Sequence, residues 1–573
     1  MSRPFQLLNG KWKFSIDLDD VGETEGWFSS SHMDNTWLTV DVPSNWDYYF
    51  PELFGYTGVG WFKRSFYLSK EYAGQCLFLR FNGVNYSAKI WVNNILVNLH
   101  EGGFIPFEID ITDKAVLGQD NILAIKVENI PSENKVPSSL AGWWNFGGIY
   151  RDISLEVRNS CFIDNVYVVA QPDGDDTQLT LRFKVRNKGT TPFRGKMENN
   201  IVATKEKENV EWAEEPISVK VEVPSNEILS NEMKVRIKGN KKWSLKNPCL
   251  YVLKSCLLSF DGKILDSLST CFGVRTVAIE DGKLTINGEP IKIKGVNRHE
   301  EFFKSGRSDK QNATKNDLEI VKALGANMVR IHYYCDPRFY DLADELGLLV
   351  FTEIPFWGIS KTALMDQKVV ENAKGQLTAL VNGLKNHPSV VVWSVGNECE
   401  SDNEVARSVI GELVQFVKEM DSTRPVTYVS NHIHDEDKWC RCLDLGDFTS
   451  INAYFGLGIL QLDKVLEKIH TEYPDRAVLV TEFGDEAARG VHGGMKGSEE
   501  YQAKVIEKTW NLITNKNFIM GGLVWSFTDY WHQPRRLGSR YLNPVYFLHG
   551  ILDVERMPKE SFKVLRKLFL TKV

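Results

Sequence analysis

From residue 277 onward the chain alternates apolar strand-like runs with stretches of helical periodicity, and no other feature restricts its fold as tightly. The runs predict strands at 291–296, 327–332, 348–354, 390–395, 425–429, 448–453, 477–481 and 522–527. In the fourth, Val390, Val391 and Val392 are continuous and β-branched, which suits a parallel strand covered on both faces. His387-Pro388 marks a turn just before it. Residues 317–325 carry apolar side chains at helical spacing and stop at Gly325, and 338–348 read the same way. Eight strands with interleaved helices predict a closed parallel (β/α)8 TIM barrel.

Ahead of the barrel the pattern is all β. Residues 1–158 hold short aromatic or alternating runs separated by turn residues, such as Ala88-Lys89-Ile90-Trp91-Val92 after Asn82-Gly83. That spacing predicts an N-terminal β jelly roll. Residues 159–276 hold further period-2 strands, at 178–185 and 218–223, in a length that fits an immunoglobulin-like β-sandwich. No constellation of polar groups stands out there, so a packing or spacer role is expected. The charged run 205–208 reads as a solvated loop. Three domains result: 1–158, 159–276 and 277–573. A chain of 573 residues is too long for a single core, which agrees.

Composition excludes some partners. The net charge of −7 offers no basic face for nucleic acid or anionic membrane, and no window approaches a membrane span. The nine cysteines are scattered without a CxxC pair, and Met1 precedes no apolar signal core. Reduced thiols and a cytoplasmic location are expected. The oligomeric state stays open, homo-oligomer included.

On such a barrel, residues just past each strand share one cleft. Here those positions hold Asn297 to Glu301, His332 to Tyr334, Glu353 with Trp357, Asn397-Glu398, Asn431-His432, Asn452 with Tyr454, Glu482, and Trp525 with Asp529. Groups that bind hydroxyls or stack on rings are what a sugar pocket requires. Two carboxylates on separate strand ends are what acetal cleavage requires: one protonates the leaving oxygen, the other captures the oxocarbenium-like centre. We read Glu482 as nucleophile and Glu398 as acid/base, with facing carboxyls about 5–5.5 Å apart for a retaining mechanism. Burial and the neighbouring charge should raise the Glu398 pKa. Tyr454 is placed to hold Glu482, and Asn397 to bind the sugar 2-hydroxyl. Ion pairing of the two acids with Arg330 or Arg298 is the plainer alternative.

At this point the chain resembles glycoside hydrolase family 2, the β-galactosidase and β-glucuronidase group. The resemblance rests on Gly295-Val296-Asn297-Arg298-His299-Glu300, Val329-Arg330-Ile331-His332-Tyr333, Trp393-Ser394-Val395-Gly396-Asn397-Glu398 and Thr481-Glu482-Phe483-Gly484, and it spans the whole chain in the family's domain order. It implies the same roles for Glu398 and Glu482, and it sets Asn397, His299, His332, Tyr454 and Trp525 around the sugar. Trp357, Asn431 and Trp144 complete the expected substrate-binding set. The departures bear on the glycone. Family β-glucuronidases carry an Asn-x-Lys pair that reads the uronate; two residues after Asn543 stands Val545, leaving Arg535, Arg536 or Arg540 to supply a cation. The position where family members lend an Asp from the jelly roll holds Gly142, and Trp143 or Trp144 is expected to narrow the pocket instead. The family's magnesium-binding Glu and His correspond to Glu353 and Pro355, so no metal and no cofactor is expected.

The expectation is therefore a retaining exo-β-glycosidase acting on a small-molecule or oligosaccharide β-glycoside, with a galactose-like neutral sugar favoured. A β-glucuronidase, a pentose- or furanose-directed enzyme, and a transglycosidase are alternatives of the same chemistry. A carbohydrate-binding protein without catalysis is the alternative of another class, and it does not need both acids.

Overall fold

The computed structural model describes residues 3–32, 34–204, 210, 218–239, 241–532 and 545–571. The run 205–208, Asn543 and Arg535, Arg536 and Arg540 lie outside the described residues. Backbone contacts divide the chain into two compact units. One holds Met1–Ile130, Phe146–Arg275 and Lys385–Pro388; the other holds Pro131–Asn145, Thr276–Leu384 and Ser389–Val573.

The first unit contains two β-sandwiches. In the N-terminal one, a six-stranded and a four-stranded antiparallel sheet enclose Trp12, Phe14, Trp46, Phe62, Leu79 and Ile125. The second pairs a three-stranded with a four-stranded sheet, the strand count of an immunoglobulin-like domain. Its strand Asp176–Asn187 alternates buried and open side chains. That period sends Leu179, Leu181 and Phe183 into a shared core with Ile201 and Leu253 of the facing sheet.

The second unit is the barrel. Its strands are β1 (Ile293–Asn297), β2 (Met328–Ile331), β3 (Leu349–Glu353), β4 (Val390–Asn397), β5 (Val426–Ser430), β6 (Thr449–Asn452), β7 (Val478–Phe483) and β8 (Ile519–Val524). Each pairs in parallel with the next, and β8 closes on β1. All eight residues of β4 are buried, which explains its unbroken apolar sequence. Helix Ala313–Leu324 ends where Gly325 takes φ 87° and its N–H returns to Lys322 and Val321. Helix Pro337–Leu346 starts with Pro337 in its first turn and with the Asp336 side chain accepting from the Arg338 N–H.

The eighth strand corrects the sequence reading. It runs three residues earlier than 522–527, because Gly521 and Gly522 lie inside it rather than marking its start. A Cβ on Gly521 would stand 2.1 Å from the Ile293 carbonyl oxygen, and its φ is 142°. Glycine is needed where the last strand closes on the first. Trp525 therefore stands in the segment after the strand. Residues 131–145, read as part of the first β-unit, cluster with the barrel.

Candidate active site

The cleft is built upward from Arg330 on β2, which is fully buried. One guanidinium nitrogen donates to Glu482 at 2.6 Å and to Asn297 at 2.9 Å. The other donates to Asn397 at 2.8 Å and to Glu353 at 3.2 Å. Residues from β1, β2, β3, β4 and β7 are thus tied to one charge. Burial pushes the Glu353 carboxyl up, but Arg330 and His332 outweigh it and hold Glu353 below the ordinary range.

The two candidate acids occupy unlike surroundings. Glu482, near the end of β7, is 4% exposed. Besides the Arg330 bond, it accepts the Tyr454 hydroxyl at 2.6 Å. Burial, then the charges of Glu482 and Glu398, pushes the Tyr454 phenol well above its usual pKa, so it stays a donor. Glu398 follows directly on β4 with φ 53°, a left-handed turn that few side chains adopt without local support. Its N–H donates to the Val429 carbonyl at 2.9 Å. Its carboxyl accepts from Asn452 at 2.7 Å. Burial first, and then the charge of Glu482, raises the Glu398 pKa to about 8, against the opposing pull of Asn452 and Arg330. Asn452 is connected to both acids. It pairs with Glu482 in the β6–β7 register while its side chain binds Glu398.

The plainer alternative is half met. Arg330 does pair with Glu482, whereas Arg298 is spent on Asp317 at 2.9 Å. An Arg330 shared among Glu482, Glu353 and two asparagines is a pocket floor rather than an isolated surface pair.

The other expected residues fall into two groups. His332 binds Glu353 through Nδ1, and its buried Nε2 lies 3.6 Å from Glu482 with no hydrogen bond partner. His299 lies 3.0 Å from the Tyr333 hydroxyl through Nδ1. That hydroxyl accepts the Glu300 N–H, so we assign its proton to the bond with Nδ1. The His299 Nε2 then carries a proton and, buried, has no hydrogen bond partner. Burial, then His332 and the arginines 307, 298 and 330, pushes the His299 pKa well down, so the ring is neutral near pH 7. Trp525 sets its ring edge-on to His299 at 5.3 Å and to His332 at 5.1 Å. Asn397 leaves its buried Nδ2 without a hydrogen bond. Trp357 bridges to Asn397, and the Gly358 N–H bonds the Asn397 carbonyl at 3.0 Å.

Trp144 and Asp529 are held by other partners. Trp144 is fully buried against Trp531, and the neighbouring Trp143 takes the expected place instead. Its indole stacks on His332 at 5.7 Å and meets Trp357 edge-on at 6.2 Å. Asn431 begins the loop after β5, and its buried Oδ1 has no hydrogen bond partner. Asp529 binds Lys559 at 2.7 Å and the Gly550 N–H at 2.9 Å, which makes it a structural tie. Sequence reasoning missed Tyr530, which packs 4.4 Å from His299, and gave His549 no role. His549 sets its ring edge-on to Tyr454 at 6.0 Å. Burial and the nearby lysines 559 and 496 lower its pKa to about 3. Nothing in the sequence around either residue separates it from loop packing. Among the described residues no grouping of three or more His, Cys, Asp or Glu side chains is arranged to hold a metal. No helix among them is long and apolar enough to cross a membrane.

Three family models match in chain order. The sugar-binding domain of glycosyl hydrolases family 2 matches 5–158, a second family 2 model matches 161–275, and the family 2 TIM barrel domain matches 277–572. The chain belongs to glycosyl hydrolase family 2. It is a glycoside hydrolase of the retaining β-glycosidase type. Relatives of this family 2 chain include a β-glucuronidase of Paenibacillus borealis, 25% identical over 99% of this chain and 97% of the relative. A β-galactosidase of Thermoanaerobacter pseudethanolicus is 28% identical over 98% of this chain and 71% of the relative. Among solved structures, the fold matches a β-glucuronidase from Ruminococcus gnavus in complex with D-glucuronic acid. That match has a TM-score of 0.87 and 24% identity, over 99% of this chain and 98% of the other.

Proposed function

We propose that Glu482 attacks the anomeric carbon of a terminal β-linked sugar while Glu398 protonates the departing oxygen. A covalent glycosyl–Glu482 ester forms as the aglycone leaves. Glu398, now a carboxylate, takes a proton from water; the water oxygen bonds the anomeric carbon and the ester breaks. The observation that carries this reading is the asymmetry of the two acids. Glu482 is held by a cation and a phenol, while Glu398 has its proton stabilised to about pH 8. The unpartnered Nδ2 of Asn397 and Nε2 of His299 are the donors we assign to sugar hydroxyls, and the unpartnered Nε2 of His332, whose Nδ1 donates to Glu353, is assigned to the same sugar.

For the glycone, the lack of a lysine two residues after Asn543 supports a neutral, galactose-like sugar. The second reading, a β-glucuronidase, is supported by the names of relatives that cover nearly the whole chain. The nine free cysteines support a reducing, cytoplasmic setting. We take the three modules to divide at 158/159 and 276/277.

A panel of nitrophenyl β-glycosides tests both parts. Turnover of the galactoside above the glucuronide supports the first glycone, and the reverse order selects the second. An α-configured first product seen by NMR, or no hydrolysis of any glycoside, would overturn the mechanism.

A further inference from the structure

Three cysteines that the chemistry above leaves unused lie behind Glu398. Cys399 follows it directly, and Cys440 and Cys442 sit in the segment between β5 and β6. Cys440 and Cys442 are 2% and 1% exposed. They converge: the Cys442 N–H lies 3.3 Å from the Cys440 sulfur. The pair is stitched to the backbone that seats Glu398. The Cys440 N–H bonds the His432 carbonyl at 2.9 Å, and the Ser401 and Ser430 hydroxyls lie 3.2 Å apart. The Cys442 thiol points at the Ser401 carbonyl, and the Arg441 N–H bonds that same oxygen at 2.8 Å. Ser430 ends β5 one residue after Val429, whose carbonyl receives the Glu398 N–H. Ser401 is three residues past Glu398. A polar cavity of about 500 Å³ reaches Cys440, lined also by Asp402, Arg407, Trp439 and Tyr473.

We propose that Cys440 and Cys442 form a modification site at which a hydroperoxide closes a disulfide, and that this bridge slows turnover by disturbing the backbone seat of Glu398. The second half rests on the reading of Glu398 as acid/base; the first does not. Burial alone would raise the Cys440 thiol, but hydrogen bonds from Cys442, Ser401 and Ser430 outweigh it and bring the pKa down, which favours the nucleophilic thiolate.

In the first step the Cys440 thiolate attacks one peroxide oxygen. The S–O bond forms, the O–O bond breaks, and the departing oxygen takes a proton to leave as an alcohol, or as water from hydrogen peroxide. In the second, Cys442 gives up its proton and its sulfur attacks the Cys440 sulfur. The S–S bond forms, the S–O bond breaks, and water leaves. The cysteines are oxidised and the peroxide reduced. The new bond draws the Cys442 sulfur off the Ser401 carbonyl. Small displacements at an acid group cost rate steeply, so kcat should fall about 10- to 100-fold. A short-range bridge of this kind is readily reduced, so dithiothreitol should restore activity.

The full-length protein, treated with hydrogen peroxide, should lose two hydrogen atoms by mass. Peptide mapping should place the bridge at Cys440–Cys442, and kcat on the best nitrophenyl glycoside should drop and recover with dithiothreitol. Cys440→Ser should keep its kcat through the same treatment. Should that variant fold poorly, Cys442→Ser should instead accumulate a dimedone-reactive sulfenic acid at Cys440. A bridge at any other pair, or none, overturns the proposal while leaving the roles of Glu398 and Glu482 untouched. It is equally overturned by a Cys440–Cys442 bridge with unchanged kcat, or by equal peroxide inactivation of Cys440→Ser.

Discussion

Glu398 and Glu482 divide their labour through their neighbours, and single substitutions should expose each part. Glu398 must carry its proton to act as acid, and burial holds its pKa near 8. Its protonated fraction falls as pH rises through that value, so kcat/KM should fall along a basic limb centred there. Glu398→Gln should remove that limb and should slow substrates with poor leaving groups far more than nitrophenyl glycosides. The same shift has a stability consequence. The folded state binds more protons than the unfolded chain between the ordinary glutamate value and about pH 8, so stability contributed by this group declines as pH rises across that window. Glu398→Gln should therefore melt above the parent protein, with a gap that widens from pH 5 to pH 8 in thermal scans. At Glu482 the lever is the Tyr454 hydroxyl. A hydrogen bond to a charged group contributes about 1.5–3 kcal/mol, and if that much is realised only in the transition state Tyr454→Phe should lower kcat roughly 10- to 150-fold.

At the scale of elements, barrel closure depends on Gly521. Gly521→Ala would set a Cβ 2.1 Å from the Ile293 carbonyl at a φ of 142°. Urea unfolding should show a loss of about 2–4 kcal/mol. The same glycine shows where sequence reading succeeds and where it stops. Strands such as β4 were legible because a strand buried on both faces leaves an unbroken β-branched run. The acids were legible because each follows such a run. The start of β8 was not, because glycine signals a boundary in one setting and a tight strand contact in another. The choice between Trp143 and Trp144 was also hidden. Two adjacent indoles in a loop without periodicity present no pattern that says which one meets His332. The sharing of Arg330 among Glu482, Glu353, Asn297 and Asn397 joins residues that are far apart in sequence, and only the closed barrel brings them together.

For the molecule as a whole, the segment 131–145 is the part whose allegiance is least expected. It lies in the chain between strands of the N-terminal sandwich, yet it packs with the barrel and delivers Trp143 to the two histidines. Trp143→Ala should cost about 3–5 kcal/mol in the transition that reports the barrel and should raise KM more than it lowers kcat. The directest test of the whole scheme is covalent trapping with a 2-deoxy-2-fluoro-β-glycoside of the best glycone, followed by peptide mapping. The sugar should be found esterified to Glu482, in a stoichiometric adduct that forms as activity is lost. A label on any other residue, or inactivation without a covalent sugar, would contradict it.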